Sequence, residues 1–167
     1  MRTLVMLLFA GVATAAAQSP MQAKAELKNA QGQAVGTATL TDTPHGVLIH
    51  ASVSGVPAGT HAFHIHQTGQ CEPPFTSAGG HFNPAMKQHG IQNPMGMHGG
   101  DLPNVQPADD GKLTFDAFAE GVTLGDGPNS LFKPGGTALV MHQGPDDYKS
   151  DPAGNAGARI ACGVVTK

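Results

Sequence analysis

Phe63, His64, Ile65 and His66 alternate apolar and imidazole side chains, and that two-residue period is the signature of an extended strand. Phe63 and Ile65 then face a core, while the two imidazoles project together from the opposite face at a separation set by a rigid strand. Four more histidines and one aspartate follow in order: His81, His89, His98, Asp101 and His142. Seven nitrogen and oxygen ligands exceed what one tetrahedral zinc takes, so the series reads as a two-metal site, a redox metal beside a structural one.

The rest of the chain reads as all-β. Its 167 residues suit one domain with its own core, and 23 Gly, 13 Pro, no Trp and 13% charged residues favour short strands, turns and long loops over helices. Segments 22–28, 34–41 and 46–54 alternate well enough to be strands. The turn sequences Asn29-Ala30-Gln31-Gly32 and Thr43-Pro44-His45-Gly46 join them into an antiparallel meander. A fourth strand at 60–67 holds His64 and His66, and further strands at 101–106, 112–119, 137–143 and 158–165 bring the expected total to about eight. In the strand at 137–143, Leu139 and Met141 point inward and leave His142 outside with Val140. Residues 68–100 show no sustained period and are dense in Gly, Pro, His and Asn. A loop of that length in a compact domain is functional or disordered, and the ligands it carries argue for function.

Residues 1–17 combine Arg2, an apolar run at 4–12 and the small-residue end Ala15-Ala16-Ala17. This is the pattern of a secretory signal peptide, leaving 18–167 as the functional domain of an exported protein, periplasmic or secreted. The apolar run is too short to span a bilayer, and no cysteine follows it to carry a lipid, so no stable membrane insertion is expected. In an oxidising compartment the two cysteines, Cys71 and Cys162, imply a disulfide, worth roughly 4 to 5 kcal/mol for so long a loop in the chain-entropy picture. The formal net charge is -3. With only two arginines, neither a nucleic-acid stripe nor a membrane-surface helix can be assembled.

Several separated blocks carry a resemblance. His61-Ala62-Phe63-His64-Ile65-His66, Gly79-Gly80-His81-Phe82-Asn83-Pro84, His89-Gly90 and His98-Gly99-Gly100-Asp101-Leu102-Pro103-Asn104 come first. Met141-His142, Asp146-Asp147-Tyr148 and the run from Gly154 through Arg159 to Cys162-Gly163 follow. In order and spacing these resemble the copper/zinc superoxide dismutase family over residues 21–165, with Ala62 standing where that family usually has glycine.

The resemblance implies an eight-stranded antiparallel Greek-key β-barrel or sandwich with long metal-binding loops. It implies one copper, held by His64, His66, His81 and His142, and one zinc, held by His81, His89, His98 and Asp101, per subunit. His81 would bridge the two metals, and a doubly deprotonated imidazole is tolerable only between two cations. Asp146 would orient His64 and His89 from outside the ligand set, and Arg159, held near the copper by the Cys71–Cys162 bridge, would guide the anionic substrate superoxide. The implied reaction yields dioxygen and hydrogen peroxide, with Arg159 and His81 as the catalytic residues; a homodimer is left open. A copper-delivery protein of the same fold is the competing reading, and it would need neither Arg159 nor a zinc-buttressed bridge. His45, His50 and His61 fall outside the ligand set; Met86, Met95 and Met97, near the zinc ligands, carry soft thioethers that suit a Cu(I) entry site, with adaptable loop packing the simpler reading.

Overall fold

The computed structural model describes residues 19–167, so the expected signal peptide lies outside the described residues. Seven strands form one antiparallel sheet: β1 (Gln22–Lys28), β2 (Ala34–Thr43), β3 (Gly46–Val53), β4 (Phe63–His66), β5 (Leu113–Glu120), β6 (Ala138–His142) and β7 (Arg159–Val164). The spatial order is β4-β6-β7-β1-β2-β3-β5. β1 to β3 are the expected meander, and the chain then crosses to the far edge to lay down β4.

Period-2 burial selects the inner face. Ala23, Ala25 and Leu27 of β1 are buried between exposed neighbours, as are Ile49 and Ala51 of β3. The outermost strands meet across the interior, where the Phe63 and Phe115 rings pack edge to face at 5.2 Å, so the sheet curls into a barrel around one core. Phe63, Ile65, Leu139 and Met141 are fully buried within it, each contributing roughly 1.5 to 3 kcal/mol by leaving water.

Alternation of burial is lost where the site lies. Every residue of β4 and β6 is buried, because Ala138 and Val140 on the outer face of β6 are covered by a second cluster of Phe75, Ala78 and Cys162. Phe75 and Ala78 belong to the loop that the Cys71–Cys162 disulfide ties to β7 across a sequence separation of 91. A single 3-10 turn at Thr76–Ala78 is its one regular element.

The expected eighth strand at 101–106 does not form. Asp101 and Val105 make isolated bridges to His64 and His61, but Pro103 between them has no amide hydrogen to extend a ladder. The strand expected at 60–67 is shorter at its start, beginning at Phe63. Among the described residues no helix is long and apolar enough to cross a membrane.

Candidate metal centre

Three histidines come from two paired strands. His64 and His66 lie on β4, and His142 ends β6, its antiparallel neighbour. The long loop brings the rest to the free edge of β4, where His81 bridges to His66 and Asp101 to His64. Ile65 anchors both approaches: its amide donates to the Gly100 carbonyl at 3.0 Å, and its carbonyl accepts from the Phe82 amide at 2.8 Å. All seven expected ligand residues are buried. They fall into two groups of four, His64, His66, His81 and His142, and His81, His89, His98 and Asp101. Within each, candidate ligand atoms lie within 4.8 Å of one another, and His81 belongs to both.

In the first group every imidazole has one nitrogen already engaged. His64 Nε2 lies 2.9 Å from Asp146 Oδ2, and His66 Nδ1 donates to the Gly79 carbonyl at 2.9 Å. His81 Nδ1 lies 2.8 Å from Asp101 Oδ1, and His142 Nδ1 lies 3.3 Å from the Gly157 carbonyl. The opposite nitrogens remain. His66 Nε2 and His142 Nε2 face each other at 3.2 Å. His64 Nδ1 and His81 Nε2 are the buried side-chain polar atoms that lack any hydrogen-bond partner among the described residues. A buried polar atom without a partner is costly, and four imidazole nitrogens sharing one space are the donor set that suits copper.

Burial keeps three of the rings, His66, His142 and His81, neutral: it lowers the pKa of His66 to about 2, of His142 to about 3 and of His81 to about 4. Each thus presents a lone pair at neutral pH.

The second group is organised around one carboxylate. The Nδ1 atoms of His81, His89 and His98 lie 2.8, 3.0 and 3.2 Å from Asp101 Oδ1, while Oδ2 accepts from the amides of Gly90 at 2.8 Å and His98 at 2.9 Å. Burial alone would raise the Asp101 pKa, but the hydrogen bonds from the three histidines outweigh it and hold the carboxyl well below the usual range. His89 is likewise buried, yet Asp101 and Asp146 on its two sides raise it to about 9. Three imidazoles and one carboxylate match a tetrahedral zinc site.

Asp146 joins the groups, with Oδ2 on His64 and Oδ1 3.0 Å from His89 Nε2. Gly154 makes room for it: with φ +62°, a Cβ there would overlap Asp146 Oδ1 and approach His89 Nε2 to 2.7 Å. The main chain of Asp146 is clamped by Asn104, which donates to its carbonyl at 2.9 Å and accepts from its amide at 2.8 Å. The Asn104 amide in turn donates to the Tyr148 hydroxyl at 2.7 Å.

Arg159 opens β7 and donates 2.6 Å hydrogen bonds to the Phe75 and Gly79 carbonyls of the disulfide-bridged loop. Gly79 thus accepts from both Arg159 and His66. Arg159 and His142 share the wall of a cavity of about 210 Å³ closed by residues 150–157. A larger cavity, about 790 Å³, lies beside β1 and the disulfide and is lined by no histidine, so size does not mark the chemical site here.

Three histidines stand apart. His45 and His50 are exposed, with His50 paired to Asp116 at 2.7 Å. His61 is buried, its Nδ1 2.9 Å from the His142 carbonyl and its Nε2 2.9 Å from the Pro57 carbonyl. Nothing in its sequence surroundings announces that role, and the same holds for Asn104. Met86 and Met95 are 90% and 66% exposed, so they do not pack the loop as expected.

A curled antiparallel barrel bearing two adjoining clusters of four residues, each of which could hold a metal ion, is the architecture of a metal-binding β-barrel protein. Comparison with known proteins makes the class specific. The family described as copper/zinc superoxide dismutase (SODC) matches residues 34–165. Superoxide dismutase [Cu-Zn] 2 of Aquifex aeolicus is 55% identical over 148 residues, covering 87% of this chain and 86% of that protein. Superoxide dismutase [Cu-Zn] of Caulobacter vibrioides is 42% identical, covering 86% and 84%. Among solved structures, a double mutant of a SOD-like protein from Bacillus subtilis superposes with a TM-score of 0.82 at 41% identity, covering 86% of this chain and 97% of that one. The chain belongs to the copper/zinc superoxide dismutase family.

Proposed function

We propose that this protein is an exported copper/zinc superoxide dismutase. Two superoxide anions and two protons become one dioxygen and one hydrogen peroxide. In this reading His64, His66, His81 and His142 hold copper, and His81, His89, His98 and Asp101 hold zinc, one of each per subunit. Copper would supply the one-electron redox couple, and zinc a fixed positive charge with no redox chemistry of its own.

One observation carries the reading: His81 places Nδ1 in the carboxylate-centred group and leaves buried Nε2 without a partner in the all-imidazole group. A ring held at one nitrogen and otherwise uncommitted at the other can take up a proton at Nε2 and release it without swinging away. Asp146 fixes the tautomers of His64 and His89 by accepting from their Nε2 atoms. Arg159, its guanidinium aimed by two carbonyls, draws the anion into the small cavity beside His142 and orients it there. Residues 1–17 direct export to the periplasm or the medium, where the disulfide is stable.

The test is metal analysis of the purified protein combined with a superoxide-decay assay before and after copper removal. Copper and zinc near one equivalent each, with decay that vanishes on copper removal and returns on its restoration, is the expected result. Equal decay in both states sinks the proposal.

A further inference from the structure

Imidazoles bound to metal through one nitrogen normally donate from the other to a fixed acceptor. His64 and His89 have Asp146, His66 has Gly79 and His142 has Gly157, while His81 serves both groups. His98 is the exception. Its Nδ1 faces Asp101, and the carboxylate nearest its Nε2 is Asp151, with Oδ1 at 3.9 Å. The same Asp151 Oδ1 accepts the main-chain amide of His89 at 2.6 Å.

We infer that Asp151 is a positioning residue for the zinc-side cluster, seating His89 through its main chain, with the same oxygen 3.9 Å from His98 Nε2, beyond hydrogen-bond reach but on its open side. The inference rests on the zinc assignment proposed above. Asp151 also lines the cavity of about 210 Å³ shared by His142 and Arg159. One carboxylate therefore reaches from the zinc-side candidates to the cavity wall that His142 and Arg159 share. Its side chain is about half exposed, so the charge pairing itself is weak in water. What Asp151 supplies is geometry: an oxygen fixed against an amide and facing a ring.

The experiment compares the copper- and zinc-loaded protein with Asp151→Ala and Asp151→Asn in competition with a chromogenic zinc chelator. Hydrogen exchange of the His89 amide and the visible bands of Co(II) placed in the zinc site are read alongside. Asp151→Ala should weaken zinc retention by about 10- to 100-fold, speed His89 exchange and shift the Co(II) bands. Asp151→Asn keeps the shape and one acceptor oxygen, so it should fold as the parent does and fall between the two. Parent-like zinc retention and Co(II) bands in both variants would overturn the role of Asp151 while leaving the zinc site standing. A parent that takes up no zinc would overturn the ligand assignment and this inference together. None of these readouts depends on superoxide, so a zinc-binding protein without dismutase activity fails the proposed function alone.

Discussion

His61 holds His142 by its main chain: the buried imidazole Nδ1 lies 2.9 Å from the His142 carbonyl oxygen, while Nε2 reaches the Pro57 carbonyl. The side chain of His142 is thereby aimed from behind, by a residue that contributes no ligand. A neutral imidazole has one N–H to donate; with it on the buried His142 carbonyl, His61→Ala would leave that carbonyl short of a partner, at about 1 to 3 kcal/mol. Chemical denaturation should show that loss, and copper should dissociate faster from the variant while zinc release is little changed.

Gly154→Ala is the most damaging single methyl expected at the site. The added carbon would overlap Asp146 Oδ1, and a positive φ costs a non-glycine residue about 1 to 3 kcal/mol besides. Both metals should be held more weakly, because Asp146 serves one ligand from each group. Metal content after dialysis against a chelator measures this.

Arg159→Gln should lower the dismutation rate by about 10-fold, the low end of electrostatic steering effects. The parent rate should also fall as salt is raised, and the variant should respond less. Rate constants across an ionic-strength series decide the matter; equal slopes would remove Arg159 from substrate guidance.

Reducing the disulfide should weaken substrate guidance as well as stability. Phe75 and Gly79, which aim Arg159, lie in the loop that Cys71 anchors to Cys162 on β7. Loss of the cross-link should cost up to roughly 4 to 5 kcal/mol, and the reduced protein should show a flatter salt dependence. Denaturation midpoints and salt series with and without reductant test both parts.

The acid limb of stability should carry a contribution from Asp147. Hydrogen bonds from Ser150, Lys149 and Asn155 lower this exposed carboxyl to about 2. A carboxyl with a depressed folded pKa contributes stability that is full above its unfolded value near 3.9 and is lost as pH falls through about 2. Asp147→Asn should therefore flatten the pH dependence of the denaturation midpoint between about pH 4 and 2, and carboxyl NMR of the parent should show the low midpoint directly.

Much of the architecture was legible along the chain because it rests on local alternation. The meander and the common face of His64 and His66 follow from a period of two. The ladder at 101–106 was not legible as absent, since its residue types suit a strand and only pairing geometry around Pro103 rules one out. The seven residues that the structure gathers into two groups were legible from the order and spacing of blocks that resemble the family. Their supports were not: His61, Asn104 and Asp151 act on partners 81, 42 and 62 positions away, and no local pattern encodes such distances. The two exposed methionines illustrate the converse, since residue type alone suggested packing.

The edge position of β4 gives the ligand loop one more consequence. On one side β4 pairs with β6; on the other, Ile65 bonds Phe82 and Gly100, and Gln67 just past the strand bonds Gly80, neighbours of His81 and Asp101. An uncovered edge strand is a template on which other chains can add. The segments that carry His81 and Asp101 thus also shield the barrel against edge-to-edge association, so the loop that builds the site doubles as the cover that keeps folded molecules apart.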